Sequence, residues 1–346
     1  MSAEALSISH FEKPDFEHTV IQSERIGIYA EKKSTVKDSF AEDVENGLTG
    51  HPKYLLPKYL YDKQGSELFE KITTTKEYYP TRVERTILKS CISDLTEICR
   101  NVEVISEMGS GSSEKTKIIL DHFARNRIHL SYIPVDVSDI LIESSKVLID
   151  RIQNLSITGI VSEYERGLEL LGQIEEKPKL ILFLGSSIGN FEDDEIISLL
   201  QDVRGAMHEH DYLLIGFDLE KDHSVLNRAY NDSGGITRDF NKNILRRINR
   251  ELNADFDLQN FRHHAFFNEK KHRVEMHLVS TEDQRVHIGK IGRTIAFGEG
   301  ESIHTENSHK FSDKVIGEYA GHADLQVVNI WKDELSYFAL TLFEPV

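Results

Sequence analysis

A glycine-rich turn follows the first of several strand-like runs in the middle of the chain. The run reads VEVIS, and residues 107–115 continue it as EMGSGSSEK. Glycine lets a backbone approach a ligand closely, and a helix that begins near Ser113 would offer free N–H groups to a carboxylate or phosphate. The segment lacks the third glycine of the fingerprint G-x-G-x-x-G, which predicts a poor fit to a dinucleotide. A purely structural tight turn is the alternative.

Acidic residues end the next two strand-like runs, where they could contact a nucleoside. Asp136 closes the run SYIPVD and could accept both hydroxyls of a ribose, although Asp is also a favoured helix N-cap. Glu163 and Tyr164 close the third run, where an acid beside an aromatic ring suits the amino group and the face of adenine. Acids at these two strand ends, without a P-loop, are the arrangement of class I S-adenosylmethionine (SAM) methyltransferases. The three strand ends together predict a SAM-binding cradle.

A fourth run, KLILFLG, leads into a segment with the string G-x-S-x-G centred on Ser187. In α/β-hydrolases this string carries the nucleophile on a sharp turn between a strand and a helix. Here the helix is predicted to begin late, at Asp193, and a hydrolase would leave the acids on the preceding strands unexplained. We expect instead that the amide of Asn190 donates hydrogen bonds to a substrate carboxylate. A Ser187 hydrolase is the remote alternative.

Tyrosines cluster in the first hundred residues, in positions where bulk packing would more often use Phe or Leu. Tyr61 lies in the segment LYDKQ and Tyr78 in the segment EYYPTR. A tyrosine supplies a hydroxyl for a polar substrate and a ring face that attracts a cationic methylated nitrogen. Ordinary packing at helix ends is the alternative.

The histidines do not have the spacing of a metal site. In the triplet 208–210 the two rings are two residues apart and cannot share a helical face. We therefore predict no metal. The residues expected on a solvated surface are His208, Glu209, His210, His263, His264, His304 and His309.

The spacing of apolar residues divides the chain into regions of different secondary structure. Strand-like runs alternate with amphipathic segments over 102–218, which predicts a parallel, doubly wound α/β sheet. The stretch from Ser2 to about Ile26 suggests an arm or a loosely attached strand, and the first hundred residues are otherwise predicted to be helical, with one helix over 34–48. An insertion with a helix over 239–252 and the strands RVEMHLVS and RVHIGKI follows the sheet. The tail predicts a hairpin that completes the sheet.

The composition is that of an ordinary globular protein of 346 residues, long enough for about two domains. A formal net charge of -17 disfavours a general nucleic-acid binder, because phosphate affinity needs clustered Lys and Arg. Two cysteines, Cys91 and Cys99, are too few for a disulfide framework or a zinc site. No apolar run reaches the length of a membrane span. We expect a cytoplasmic protein that binds neither nucleic acid nor a membrane.

The order and content of ten motifs resemble the SAM-dependent histidine-specific methyltransferases. The motifs are LYDKQGSELFEKIT, EYYPTR, EMGSGSSEKT, PVDVS, FLGSSIGNF, GFDLEKD, LNRAYNDSGGIT, FNKNILRRINRELNADFDL, RVEMHL and GESIHTENSHKF. This resemblance covers the chain from about Leu55 onward. It implies a class I SAM-methyltransferase, Rossmann-like sheet with a second, discontinuous α+β substrate-binding domain. The activity that it implies is transfer of three methyl groups from SAM to the α-amine of L-histidine, which gives hercynine, a step of ergothioneine biosynthesis.

The resemblance also implies which residues contact SAM, the methyl donor. Lys115 would pair with the methionyl carboxylate, and Glu163 stands where the family often has Asp. The full set is Gly109, Lys115, Asp136, Glu163 and Tyr164.

A second set of residues is implied for the substrate, L-histidine. Glu306 and Ser308 would hold the imidazole, whose two nitrogens suit an acceptor beside a hydroxyl. Asn190 and Tyr230 would bind the carboxylate. The other members are Tyr61 as the catalytic residue at the α-amine, Tyr78 on the imidazole side and Met276 on the ring.

We expect a monomer with an N-terminal arm over 1–30 and two interleaved domains. The SAM-binding domain would comprise 86–218 plus 311–346, and the substrate-binding domain 31–85 plus 219–310. A buried carboxylate at Glu306 would remain unpaired against rings that lack the right nitrogen, so histidine is favoured over a tryptophan derivative, which is the alternative substrate. A SAM-sensing module without turnover is a third possibility.

Overall fold

The computed structural model describes residues 16–20, 25–31, 36–111, 113–125, 127–138, 140–173 and 177–346. The predicted arm lies outside the described residues at 1–15 and 21–24, and the predicted helix over 34–48 does so at its first two positions. In the described ranges the helices are α1 (Val36–Thr49), α2 (Lys63–Thr73), α3 (Pro80–Ile98), α4 (Thr116–Arg125), α5 (Ile140–Arg151), α6 (Tyr164–Leu171), α7 (Asp193–Gly205), α8 (His223–Ala229), α9 (Ile236–Leu252) and α10 (Asp313–His322). The strands are β1 (Phe16–Val20), β2 (Ile26–Glu31), β3 (Lys53–Tyr54), β4 (Val104–Met108), β5 (Leu130–Asp136), β6 (Leu155–Val161), β7 (Lys179–Phe183), β8 (Tyr212–Asp218), β9 (Phe261–Asn268), β10 (Arg273–Ser280), β11 (Gln284–Ile288), β12 (Arg293–Phe297), β13 (Ser302–His309), β14 (Leu325–Lys332) and β15 (Phe338–Pro345).

The main sheet has the order β1-β2-β6-β5-β4-β7-β8-β15-β14 in the part of the chain that the structure describes. Its strands from β2 to β8 are parallel, whereas β15 lies antiparallel to β8 and pairs with β14 as a hairpin. The predicted doubly wound, Rossmann-like sheet and its C-terminal hairpin are confirmed. The direction of strand addition reverses between β4 and β7, and ligands of such sheets bind outside the carboxyl ends at this reversal.

Helices cover both faces of the main sheet, which explains why its central strands are buried along their whole length. In β7 every residue is buried, and β4 is the same. One core cluster packs α3, α4 and α5 against one face, and a second packs α6, α7 and α10 against the other. No helix among the described residues combines the length and the apolar character that crossing a membrane requires.

The prediction that the first hundred residues are all helical is wrong. β1 and β2 pair with each other, and β2 lies parallel to β6 at the edge of the main sheet. Ile26 and Ile28 are buried in this position. β2 depends on β6, a partner that lies far away along the chain, and strand formation depends on such non-local packing more than on a local pattern.

A second sheet has the order β3-β13-β10-β9, and β11 pairs with β12 in a separate hairpin. The predicted apolar face of α9 is buried, with Phe240, Ile244, Leu245 and Ile248 in a third core cluster. This cluster also contains residues of α1 and α2, so the helices that precede the main sheet and the strands that follow it share one core. This shared core supports two interleaved domains, and the domain boundaries given above stay a prediction.

Candidate active site

A cavity lies where the carboxyl ends of β7 and β8 meet the second sheet. Side chains from α2, α9, β10 and β13 form its other walls. The structure places every residue of the predicted substrate set in this cavity, although they come from distant parts of the chain. They are Tyr61, Tyr78, Asn190, Tyr230, Met276, Glu306 and Ser308.

β10 and β13 position three of these side chains. Met276 pairs with Glu306, and Glu306 and Ser308 are two residues apart on one strand and so share a face. A bulge follows this pair, because His277 lies opposite His304 rather than Thr305. Bulges re-aim side chains and are frequent beside active sites.

Glu306 is a buried carboxyl group with few partners. It is 8% exposed, and the hydroxyl of Tyr61 donates a long hydrogen bond of 3.4 Å to its Oε1. Burial raises the pKa of Glu306 from 4.5 to about 7, against the smaller opposing effects of Tyr61 and of the charge on Lys310. A buried carboxylate is costly unless a donor meets it, so Glu306 is suited to accept a hydrogen bond from a ligand. Tyr61 is predicted to contact the α-amine of the substrate and Glu306 its imidazole ring, and the structure shows that these two side chains contact each other.

Ser308 belongs to a buried hydrogen-bond network. The hydroxyl of Tyr230 donates to Ser308 Oγ at 2.6 Å, and Lys310 Nζ donates to the same oxygen at 2.6 Å. Lys310 also forms an ion pair of 3.0 Å with Asp218, and both side chains are fully buried. Tyr230, predicted to bind the substrate carboxylate, therefore contacts the residue predicted to bind the ring.

Asp218 differs from Glu306 in being completely paired. Tyr79 Oη donates to its two oxygens at 2.7 and 2.8 Å, and Lys221 Nζ donates at 2.5 Å. Burial alone would raise the pKa of Asp218, but the charges of Lys310 and Lys221 hold it below its ordinary value. Asp218 lines the cavity wall yet is fixed as a carboxylate by the protein itself.

Aromatic rings form one wall of the cavity. The ring centroid of Tyr61 lies 5.5 Å from that of Phe69 and 5.3 Å from that of Phe240, and the ring of Tyr78 lies 6.2 Å from that of Tyr230. Burial raises the pKa of all three tyrosines well above the ordinary value, so their hydroxyls are neutral at physiological pH. The predicted tyrosines thus both pack together and present neutral rings to a ligand.

The turn after β7 does not have the surroundings of a hydrolase nucleophile. Ser187 and Asn190 bound a single 3-10 turn, and α7 begins at Asp193 as predicted. The Ser187 hydroxyl donates to the carbonyl oxygen of Leu184 at 3.2 Å. Among the residues that the structure describes, no histidine is hydrogen bonded to Ser187, so it lacks the base that would activate it.

The glycine-rich turn after β4 has the form of a ligand cradle. Gly109 has a φ of 70°, and a Cβ atom there would lie 2.9 Å from the hydroxyl of Tyr164. Asp136 accepts a hydrogen bond of 2.8 Å from the backbone N–H of Gly111 and so holds the turn against β5. Ser110 Oγ is buried without a partner among the described residues. A cradle that a side chain would fill, beside an unsatisfied hydroxyl, fits a bound small molecule such as SAM.

Two residues of the predicted cofactor set make other contacts. Glu163 precedes α6, is half exposed and forms an ion pair of 3.1 Å with Lys58. Lys115 pairs at 2.6 Å with Glu84, which also accepts a hydrogen bond of 2.7 Å from the backbone N–H of Gly185. These contacts place Lys115 beside the turn that borders the cavity.

The sequence patterns do not identify Glu84, Asp218 or Lys310 as parts of the site. Glu84 carried a usable signal, because it lies on the apolar face of α3 three and four residues before Ile87 and Leu88. A charged residue in such a stripe is rarely buried unless it is paired. The sequence around Asp218 and Lys310 has no comparable pattern, since the burial of each charge is explained by its ion pair with the other.

The predictions for the histidines are confirmed in part. The residues that are exposed as predicted are His208, Glu209, His210 and His264. The prediction is wrong for His263 and His304, which are half-buried, and for His309, which is buried. His263 is held by hydrogen bonds to Asn241 and to the carbonyl of Tyr230, each 3.0 Å long.

One group of these side chains could hold a metal ion. The possible ligand atoms of Glu275, His277 and His304 all lie within 4.8 Å of one another. Arg273 already donates to Glu275 at 2.9 Å, so the positive charge of the guanidinium group is paired with this carboxylate. The absence of a metal is still a prediction.

The chain is similar to known proteins over most of its length. The model of the histidine-specific, SAM-dependent methyltransferase family matches residues 40–345. The histidine N-alpha-methyltransferase of Mycobacterium tuberculosis is 39% identical over 301 residues, which are 87% of this chain and 93% of that protein. The protein of the same name from Mycolicibacterium smegmatis is 37% identical over 311 residues, 88% of this chain and 96% of that protein. Ergothioneine biosynthesis protein 1 of Schizosaccharomyces pombe is 27% identical over 290 residues, 81% of this chain and 37% of that protein. The chain therefore belongs to the histidine-specific, SAM-dependent methyltransferase family.

Proposed function

We propose that the protein transfers three methyl groups in succession from SAM to the α-amine of L-histidine and releases hercynine, a step of ergothioneine biosynthesis. The observation that carries this proposal is the buried, nearly unpartnered carboxyl of Glu306 beside Ser308. An imidazole N–H would supply the donor that Glu306 lacks, and the second ring nitrogen would meet the hydroxyl. Met276, paired with Glu306 across the strands, would pack on the ring.

The cradle after β4 supports SAM as the methyl donor. When bound, SAM supplies a methyl group that is already activated for transfer. Asp136 would accept the ribose hydroxyls, and Glu163 and Tyr164 would contact the adenine. Lys115 would pair with the methionyl carboxylate. Its Nζ lies close to Gly185, which lines the cavity: a Cβ atom added at Gly185 would be 2.9 Å from this nitrogen. The cradle and the cavity are therefore adjacent.

The residues of the cavity would act mainly by positioning and by excluding water. Asn190 would hold the substrate carboxylate, which directs the α-amine toward the cofactor edge. Tyr61 stays a neutral phenol because burial raises its pKa, so it can accept a hydrogen bond from the amine but does not take its proton as a phenolate. The α-amine must lose one proton to solvent before each of the three transfers. Each transfer forms an N–C bond, breaks the S–CH3 bond of SAM and leaves S-adenosylhomocysteine. The final quaternary ammonium would gain about 0.5–2 kcal/mol from the aromatic wall.

A tryptophan derivative is the alternative substrate. An indole N–H could meet Glu306, but the indole has no second ring nitrogen for Ser308. Because both groups are buried, such a ligand would leave one of them unsatisfied. The site thus favours histidine.

Mass spectrometry of the products tests the proposal. The full chain is incubated with SAM and equal amounts of L-histidine and L-tryptophan. We expect histidine to gain three methyl groups and tryptophan none. Methylation of another amino acid with histidine unchanged would contradict the substrate, and a single methyl at excess SAM would contradict the three transfers. Labelling of Ser187 by a fluorophosphonate would instead favour the hydrolase.

A further inference from the structure

We propose that Lys310 fixes the direction of the hydrogen bonds at Ser308, so that the Ser308 hydroxyl can only donate to the substrate ring. The inference rests on the proposed function, since it concerns how the same cavity recognises an imidazole. Lys310 would not touch the substrate. It is a positioning residue that acts through Ser308.

The surroundings of Lys310 use all of its donors. Its Nζ lies 2.6 Å from Ser308 Oγ, 3.0 Å from an oxygen of Asp218 and 3.2 Å from Tyr230 Oη. An ammonium group has three N–H bonds and no lone pair, so it can donate to three acceptors and accept from none. With Asp218 ionised beside it, the three oxygens match the three N–H bonds. Lys310 therefore donates to Ser308 and cannot accept from it.

Ser308 Oγ then has no capacity left to accept a further hydrogen bond. A hydroxyl oxygen has two lone pairs. One receives the N–H of Lys310, and the other receives the O–H of Tyr230 at 2.6 Å. Among the described residues no acceptor is hydrogen bonded to the Ser308 proton, and Ser308 lines the cavity. Its proton is consequently available to a ligand.

This polarity defines which ring the cavity accepts. The ligand must present an unprotonated nitrogen to Ser308 and an N–H to the carboxylate of Glu306. A neutral imidazole does both in one tautomer and one orientation. A pyrrole ring has the N–H but no acceptor nitrogen, so it would leave the Ser308 proton buried and unpaired.

The variant Lys310→Met tests this inference. Asp218 would keep its hydrogen bonds from Tyr79 and its ion pair with Lys221. Lys310 also donates to Tyr230 Oη at 3.2 Å, which favours the Tyr230 hydroxyl as the donor to Ser308. Without Lys310 this bias is lost, so Ser308 could donate to Tyr230 and present a lone pair to the cavity. The energetic penalty for a ring without an acceptor nitrogen should then shrink.

Lys179→Met is the matched control. Lys179 is also fully buried and forms an ion pair of 2.8 Å with Asp211. It stands at the first residue of β7, at the end of the main sheet away from the cavity. Loss of this ammonium should destabilise the fold without changing the preference among ligands.

The experiment measures, by calorimetry with S-adenosylhomocysteine present, the binding of L-histidine and its two pyrrole analogues, 2-pyrrolylalanine and 3-pyrrolylalanine. Together the analogues keep the N–H at either ring position. In the wild type we expect histidine to bind about 10- to 100-fold more tightly than the better analogue. Lys310→Met should lower this ratio about tenfold and leave the affinity for S-adenosylhomocysteine unchanged, whereas Lys179→Met should keep the wild-type ratio.

Three other outcomes separate the possible failures. If Lys310→Met weakens histidine and both analogues by the same factor, Lys310 has only a structural role and the inference is wrong. If the wild type does not bind histidine at all, the proposed function fails instead. A wild type that binds a pyrrole analogue as tightly as histidine would also overturn the assignment of Ser308 as a donor.

Discussion

Two buried carboxyl groups line the same cavity, and the protein treats them in opposite ways. Asp218 is surrounded by two lysines and a tyrosine hydroxyl, which hold its pKa below the ordinary value although burial opposes this. Glu306 has one long hydrogen bond from Tyr61, and burial raises its pKa to about 7. Asp218 is the last residue of β8 and Glu306 lies within β13, and both line the cavity.

The contrast shows which carboxyl serves the fold and which awaits a ligand. A buried charge that the protein pairs completely has no remaining need for a partner, whereas an unpaired one is costly in the free protein. The cost at Glu306 would be recovered when a ligand N–H binds. We therefore assign Asp218 to the support of the site and Glu306 to the selection of the substrate.

Asp218→Asn should give the largest effect, on stability. The substitution leaves Lys310 and Lys221 buried without their counter-charge, and breaking a buried ion pair in this way costs about 3–5 kcal/mol. Urea denaturation of the variant and the wild type measures this loss. Asp239→Asn is the control, because Asp239 forms an exposed ion pair with Arg238 and should cost less than about 1 kcal/mol. Equal losses would contradict the structural role of Asp218.

The pH dependence of stability should differ in sign between the two carboxyls. The pKa of Glu306 is raised from 4.5 to about 7 in the folded protein, so its contribution to stability is complete below about pH 4.5 and is lost as the pH rises through about 7. The difference amounts to at most about 3 kcal/mol. The pKa of Asp218 is lowered, so its contribution is present above its ordinary pKa and is lost only as the pH falls through the lowered value.

Unfolding free energies of the wild type and Glu306→Gln, measured at about pH 5 and pH 8, check this dependence. The wild type should lose stability relative to Glu306→Gln as the pH rises. If the difference between the two proteins does not change with pH, Glu306 does not titrate in this range and the contrast with Asp218 disappears.

Glu306→Gln should weaken histidine binding about 10- to 100-fold, because a hydrogen bond to a charged group contributes about 1.5–3 kcal/mol. The affinity for S-adenosylhomocysteine should not change, since the cradle after β4 lies on other elements. Calorimetry with each ligand separates the two effects. Equal losses for both ligands would show that Glu306 supports the whole site rather than the ring.

The part of the site at the ends of the parallel strands could be predicted from the sequence, whereas Tyr230, Met276, Glu306 and Ser308 were indicated only by the family resemblance. Gly109, Asp136 and Asn190 stand just beyond or at the ends of apolar runs, and parallel strands carry their carboxyl ends to one edge. The pairing of Asp218 with Lys310 could not be predicted, since it depends on how the residues after β13 pair with the end of β8. For the same reason the strand β2 was missed, because its partner β6 is remote along the chain.

Tyr61→Phe should give the smallest effect on Glu306. It removes a hydrogen bond of 3.4 Å, which is longer than usual and contributes less than about 1 kcal/mol. The pKa of Glu306 should rise slightly, because this hydrogen bond lowers it. Histidine affinity should fall less than tenfold, while turnover falls more if Tyr61 also orients the α-amine. A loss of affinity as large as that of Glu306→Gln would contradict this minor role of the Tyr61 hydroxyl in holding the ring.

The protonation of Glu306 itself tests the central claim most directly. Infrared difference spectroscopy at about pH 6 records the carbonyl stretch of a protonated carboxyl group in the free protein and after addition of histidine. We predict that histidine removes one such band and that Glu306→Gln lacks the change, while the buried Glu107, whose pKa burial also raises to about 7, remains as it was. A band that persists when histidine is bound would contradict the assignment of Glu306 as the group that selects the substrate.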